Sequence, residues 1–264
     1  MSPAEAACAA LGVGAAEIVS VEPVKHGLTN DSWLVRTRTA AVVVRISSGD
    51  EDALRIDRAS EATILRAVAA ANIGAPVLVC APQRRLLVTS YLGPPWSAQD
   101  AAFEESIRRL AELLYRLHAL QPPQGVRIVD LAETVEGYRR TLEEHGAGGD
   151  LVSDSMRARA QAAAARLRIE GELRLCHNDV HHLNLIESDG LRLIDWEYAG
   201  LGDPSFDLAS VCVYQQHGHR QREALLSAYV AAGGSPAGSR FEAALWLFEY
   251  VRDLWTACRE VSRR

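Results

Sequence analysis

The segment Tyr91-Leu92-Gly93-Pro94-Pro95 divides this chain into two stretches of opposite character. Upstream of it, short runs rich in Val and Ile and bounded by polar turns read as strands, over residues 18–25, 32–37, 41–46, 76–80 and 86–89. One helix interrupts them at 57–71, marked by the spacing of Ile64, Leu65 and Val68 and ended by Asn72-Ile73-Gly74. Downstream, apolar residues recur at helical period over 101–119, 132–145, 155–168, 206–216, 221–232 and 240–260. This order predicts an α+β chain of two lobes. A small β-rich N-terminal lobe occupies residues 1–92 and a larger α-helical C-terminal lobe residues 93–264, with a ligand cleft expected between them.

Composition excludes several classes. A net charge of −6 argues against a nucleic-acid-binding face, which shows as a basic excess. No eighteen-residue apolar run is present and the first ten residues lack the basic flank of a signal peptide, so neither a membrane role nor export is expected. Five scattered cysteines without a Cys-x-x-Cys pair read as reduced thiols of a cytoplasmic protein.

The chemistry is concentrated in His177-Asn178-Asp179-Val180-His181-His182-Leu183-Asn184 and in Leu193-Ile194-Asp195-Trp196-Glu197. Asp179 can orient an attacking hydroxyl and take its proton, while Asn184 and Asp195 are hard oxygen donors suited to magnesium. The run 191–194 reads as a short buried strand that delivers Asp195 at its end. The Asp-x4-Asn spacing is that of a protein-kinase catalytic loop, with Asp195 where the metal-binding Asp follows.

On these residues, with Cys176 ahead of them and Tyr198-Ala199-Gly200 behind, the chain resembles the choline/ethanolamine kinase and aminoglycoside phosphotransferase superfamily. Its motif wording is most similar to that of bacterial thiamine kinases and choline kinases. The resemblance implies a protein-kinase-like fold, ATP and magnesium as cofactors, Asp179 as catalytic base, and Asn184 and Asp195 as metal ligands. It also implies that Arg45, on the strand Val42-Val43-Val44-Arg45-Ile46, replaces the usual phosphate-binding lysine and pairs with Glu61 on the following helix. Gly27, Thr29 and Asn30 would cover the phosphates from a loop with one glycine where several are expected, and 90–92 (Ser90 to Leu92) would hold adenine. His177 would fix the loop, and Asp207 would anchor its backbone from the next helix.

The acceptor is expected to be a small molecule with a hydroxyl. Trp246, Glu249, Tyr250 and Trp255 on the last helix, with Glu197, offer π faces and carboxylates that suit a cationic alcohol such as thiamine or choline. Acidic residues near the acceptor site would also suit a polycationic aminoglycoside, so an aminoglycoside O-phosphotransferase stays open, as does an inactive nucleotide-binding relative. A zinc hydrolase built on His177, Asp179, His181 and His182 is the remaining alternative from another class.

Overall fold

The computed structural model describes residues 1–24, 30–47, 51, 54–168, 173–235 and 238–262. Strands β1 (Ile18–Pro23), β2 (Asn30–Thr37), β3 (Ala41–Ser47), β4 (Val77–Ala81) and β5 (Leu86–Ser90) form one antiparallel sheet in the order β1-β2-β3-β5-β4. Alternation along β3 sorts its side chains between the two faces. Val42 and Val44 pack with Val35, Leu86 and Val88 against Ala6 and Ala7 of helix α1 (Pro3–Leu11). Val43 and Arg45 face the other way, into the cleft.

Helix α2 (Arg58–Ala70) carries Ile64, Leu65 and Val68 into a second, larger core shared with the helical lobe. It begins where the Asp57 carboxylate accepts hydrogen bonds from the amides of Ala59 and Ser60, a cap typically worth about 1 kcal/mol.

The helix expected over 101–119 is two helices, α3 (Ala98–Ala102) and α4 (Glu104–His118). A Ser97–Asp100 capping box starts the first, and Phe103 breaks the path with extended backbone at ψ 142°. Glu104 and Glu105 then open the second helix at the end where the helix dipole favours acids.

The helical lobe continues with α5 (Leu131–Glu144), α6 (Asp154–Leu167), α7 (Pro204–Tyr214), α8 (His219–Ala231) and α9 (Gly238–Ser262). Helix α9 packs against α5, α6 and α7 at once, so it is buried on several sides. Two short antiparallel pairs went unread in the sequence apart from one strand. They join β6 (Arg174–Cys176) to β9 (Gly200–Gly202) and β7 (Leu185–Ser188) to β8 (Gly190–Leu193). Strand β8 is the apolar run expected before Asp195. Among the described residues no helix is long and apolar enough to cross a membrane.

Candidate active site

The loop from His177 to Asn184 leaves β6 and returns at β7, and helix α7 holds it along one polar stripe. Asp207, in the first turn of α7, is fully buried. Its two oxygens accept from the amides of His177 at 2.8 Å and Asn178 at 2.6 Å. One turn on, Ser210 Oγ accepts from the Val180 amide at 3.1 Å. At the end of the helix, Tyr214 donates its hydroxyl to Asp179 Oδ1 at 2.8 Å. Residues 207, 210 and 214 share a helix face, so one element fixes both the loop's backbone and its carboxylate. Asn178 accepts the left-handed backbone, φ 66°, that the turn requires.

His177 is buried against Trp196, with ring centroids 4.7 Å apart, and its Nε2 donates to Ile194 O at 2.9 Å. Nδ1 is then the acceptor for the Asp179 amide at 3.3 Å. Burial pulls the His177 pKa below the ordinary range and favours this neutral form. The ring is a brace that ties the loop to the strand leading to Asp195. His181 faces elsewhere, 3.5 Å from Asp179 Oδ2 and edge-on to Tyr214, so the histidines of the loop do not converge on one point.

Burial opposes ionisation of Asp179, but hydrogen bonding and charge from His181, followed by His177 and Tyr214, outweigh it and keep the carboxylate below its usual pKa. Asn184 donates Nδ2 to Asp179 O at 3.0 Å. Since a carbonyl only accepts, the Asn184 amide oxygen is the atom left for a ligand. Asp195 follows β8 with φ 64°, 3.5 Å from Arg45 Nη1, and its side chain stays 38% exposed to the cleft. Its pKa is raised strongly, first because the cleft walls strip much of the water around its carboxylate and then through the charge of Glu197. Asp179, Asn184 and Asp195 line one cleft of about 820 Å³, which Arg45, Glu61 and the strand-to-helix connection also line.

Behind the cleft runs a chain of alternating charges. Arg45 Nη2 meets Glu61 Oε2 at 2.7 Å, as the sequence leads one to expect. Arg58, which sequence reasoning missed, donates to Glu61 at 2.8 Å, Glu197 at 3.2 Å, Glu51 at 3.0 Å and the Asn30 amide oxygen at 2.8 Å. Asn30 Nδ2 closes the ring onto Glu197 at 2.7 Å. The signal available was an Arg three residues before Glu61 on the same helix face. Gly27 and Thr29 lie outside the described residues.

At the connection between lobes, Ser90 donates its amide to Pro76 O at 2.9 Å and Tyr91 to Ala41 O at 3.0 Å. Among the described residues the Leu92 amide makes no such bond, and Leu92 lines the cleft. Of the expected pair, Leu92 therefore retains a free main-chain donor and Ser90 does not.

The acceptor-side expectation needs correction. Trp255 and Glu197 line the cleft, but Trp246, Glu249 and Tyr250 do not. Trp246 stacks on Tyr250 at 5.3 Å with Arg159 of α6 at 4.1 Å over its ring. The Tyr250 hydroxyl is spent on Leu151 O at 2.6 Å, and Glu249 is exposed on another face of α9. The face turned to the cleft carries Phe248, Val251, Arg252 and Trp255, and Trp255 Nε1 donates to the Tyr198 hydroxyl at 2.8 Å. With Tyr138, Phe206 and Tyr214, these rings give the cleft an aromatic wall beside Asp179.

A family model described as "Phosphotransferase enzyme family" matches residues 20–245. Thiamine kinase from Escherichia coli is 33% identical over 196 residues, covering 74% of this chain and 66% of that relative, so the chain spans just under two thirds of its length. Choline kinase LicA from Streptococcus pneumoniae has the same fold, with a TM-score of 0.82 at 23% identity over 94% of this chain and 88% of that one. LicA in complex with AMP gives a TM-score of 0.77 at 23% identity over 93% and 85%.

Proposed function

The chain belongs to the phosphotransferase enzyme family, and from that premise we propose that it transfers the γ-phosphoryl group of ATP to the hydroxyl of a small cationic alcohol, with thiamine the first choice and choline the second. The observation that carries this reading is the meeting of Asp179, Asn184, Asp195 and Arg45 at a single cleft. AMP bound to LicA, a protein of the same fold, supports a nucleotide in that cleft. The thiamine kinase relative supports the acceptor.

The donor set fits a hard divalent cation. Asn184 turns its amide oxygen outward and Asp195 exposes part of its carboxylate to the cleft. These two residues would hold magnesium, which when bound offsets charge on the phosphates. Arg45 faces the same phosphates, with Gly27, Thr29 and Asn30 as their cover, and Glu61 keeps the guanidinium in place. The Leu92 amide would take the adenine edge.

Asp179 is the proposed base. Its carboxylate is ionised and held by Tyr214 and Asn184, so it is pre-oriented to accept the acceptor's hydroxyl proton. The protein supplies alignment and electrostatics, and no covalent enzyme intermediate is needed. Tyr198, Tyr214, Phe248 and Trp255 line the same cleft as Asp179, and each ring well placed toward a cation would contribute ~0.5–2 kcal/mol.

The test is phosphorylation of thiamine, choline, ethanolamine and an aminoglycoside with magnesium ATP, in wild type and in Asp179→Asn. The variant should lose roughly 10²–10⁴-fold in kcat while still binding ATP. Near-normal transfer by Asp179→Asn removes the base assignment, and an aminoglycoside as best acceptor removes the thiamine and choline assignment.

A further inference from the structure

We infer that Tyr138 and Arg127 form a subsite of the acceptor pocket for a flat, neutral ring that accepts hydrogen bonds. The acceptor is then an alcohol joined to a nitrogen heteroaromatic, and not a bare quaternary-ammonium alcohol. This rests on the reading of the cleft as an acceptor site.

Tyr138 sits on α5 with 2% of its surface exposed, and it lines the cleft beside the aromatic wall. Its hydroxyl makes no hydrogen bond among the described residues, yet it is not among the atoms sealed away from solvent. A phenol buried to this degree normally finds a partner, because an unmet polar group costs about 1–3 kcal/mol. In a residue that lines the cleft, such a hydroxyl is a donor available to a ligand. Burial raises the Tyr138 pKa, so the hydroxyl keeps its proton at neutral pH.

Arg127 lines the same cleft as Tyr138. Its guanidinium is fixed by main-chain carbonyls, those of Arg55, Ala199 at 3.2 Å and Glu197 at 3.4 Å. It forms no ion pair among the described residues. Those three carbonyls use three of five N–H donors. This part of the pocket is thus rich in donors and carries a guanidinium without an ion-pair partner among the described residues, its charge offset only at longer range by Asp57.

A trimethylammonium group placed there would meet like charge and offer no lone pair to either residue. A ring nitrogen satisfies Tyr138, tolerates Arg127 and lies flat on the aromatic wall. Any positive charge of the acceptor belongs at the other end, beside Asp179. Thiamine has this distribution, with a thiazolium next to its alcohol and an aminopyrimidine beyond it.

The experiment compares thiamine with an analogue that keeps the hydroxyethyl-thiazolium but carries benzyl in place of the aminopyrimidine, and uses choline as a third acceptor. The wild-type KM for thiamine should be lower than that for the benzyl analogue by roughly ten- to a hundredfold, and choline should be the poorest acceptor. In Tyr138→Phe the gap between the two thiazolium alcohols should shrink to within about threefold, a ratio within one variant that general loss of folded protein does not move. Equal KM values in wild type, a gap unchanged in Tyr138→Phe, or choline as best acceptor each overturns the subsite while leaving a small-molecule kinase intact. If Tyr138→Phe fails to fold, the wild-type comparison alone decides. Transfer to none of the three overturns both readings.

Discussion

Arg58 Nη1 lies 3.2 Å from Glu197 Oε2, an ion pair that ties the helix behind the sheet to the segment following Asp195. Two of the three glutamates that Arg58 touches, Glu61 and Glu197, are 2% exposed. Their charges therefore depend on it for compensation. Arg58→Met should lower stability by about 3–5 kcal/mol, because it leaves two buried carboxylates short of a partner. Denaturant unfolding measures this, and adding Glu197→Gln should restore part of the loss. Unchanged stability would mean the pair is solvent-screened.

The two tryptophans of α9 should separate. Trp255 lines the cleft and Trp246 packs on Arg159 and Tyr250. Trp255→Ala is expected to raise the acceptor KM. Trp246→Ala should cost about 1–3 kcal/mol of stability and leave the acceptor KM in place. Steady-state kinetics together with thermal melts distinguish them, and a KM effect from Trp246 would place the acceptor on the wrong face of the helix.

Gly200 is a position where space decides. A Cβ there would lie 2.6 Å from Val129 Cγ2 and 2.9 Å from Arg127 O, against the loop that also holds Arg127. Gly200→Ala should therefore destabilise by about 1–3 kcal/mol through forced backbone movement. An equilibrium melt equal to wild type would show that the loop yields freely.

His217 should give the fold a mild acid sensitivity. Burial, reinforced by the charge of Arg222, lowers its pKa to about 4, and Nε2 lies 3.1 Å from Gln215 Oε1. The unfolded chain takes up a proton below about pH 6.5, whereas the native state resists until about pH 4. Protons bound by the unfolded state then exceed those bound by the native one, so stability falls as pH drops through this window. His217→Gln should flatten that slope in urea unfolding followed against pH. An identical slope in the variant would assign it to other groups.

The sequence by itself determines the α+β order of elements and picks out three candidate site residues. Asp179, Asn184 and Asp195 stand at spacings set by one short loop and one short strand, which are local properties of the chain. The Arg45–Glu61 pair is legible only through the family resemblance, which places a cation on that strand and an acid on the following helix. Tertiary structure alone decided the rest. Tyr214 reaches Asp179 across 35 residues and Arg58 reaches Glu197 across 139, distances over which periodicity carries no information. The faces of α9 show the same limit. Helical spacing shows that Trp246 and Tyr250 share a side, but which side meets the cleft depends on how α5, α6 and α7 surround it. Pattern reports which residues travel together on one element, and packing chooses what they meet.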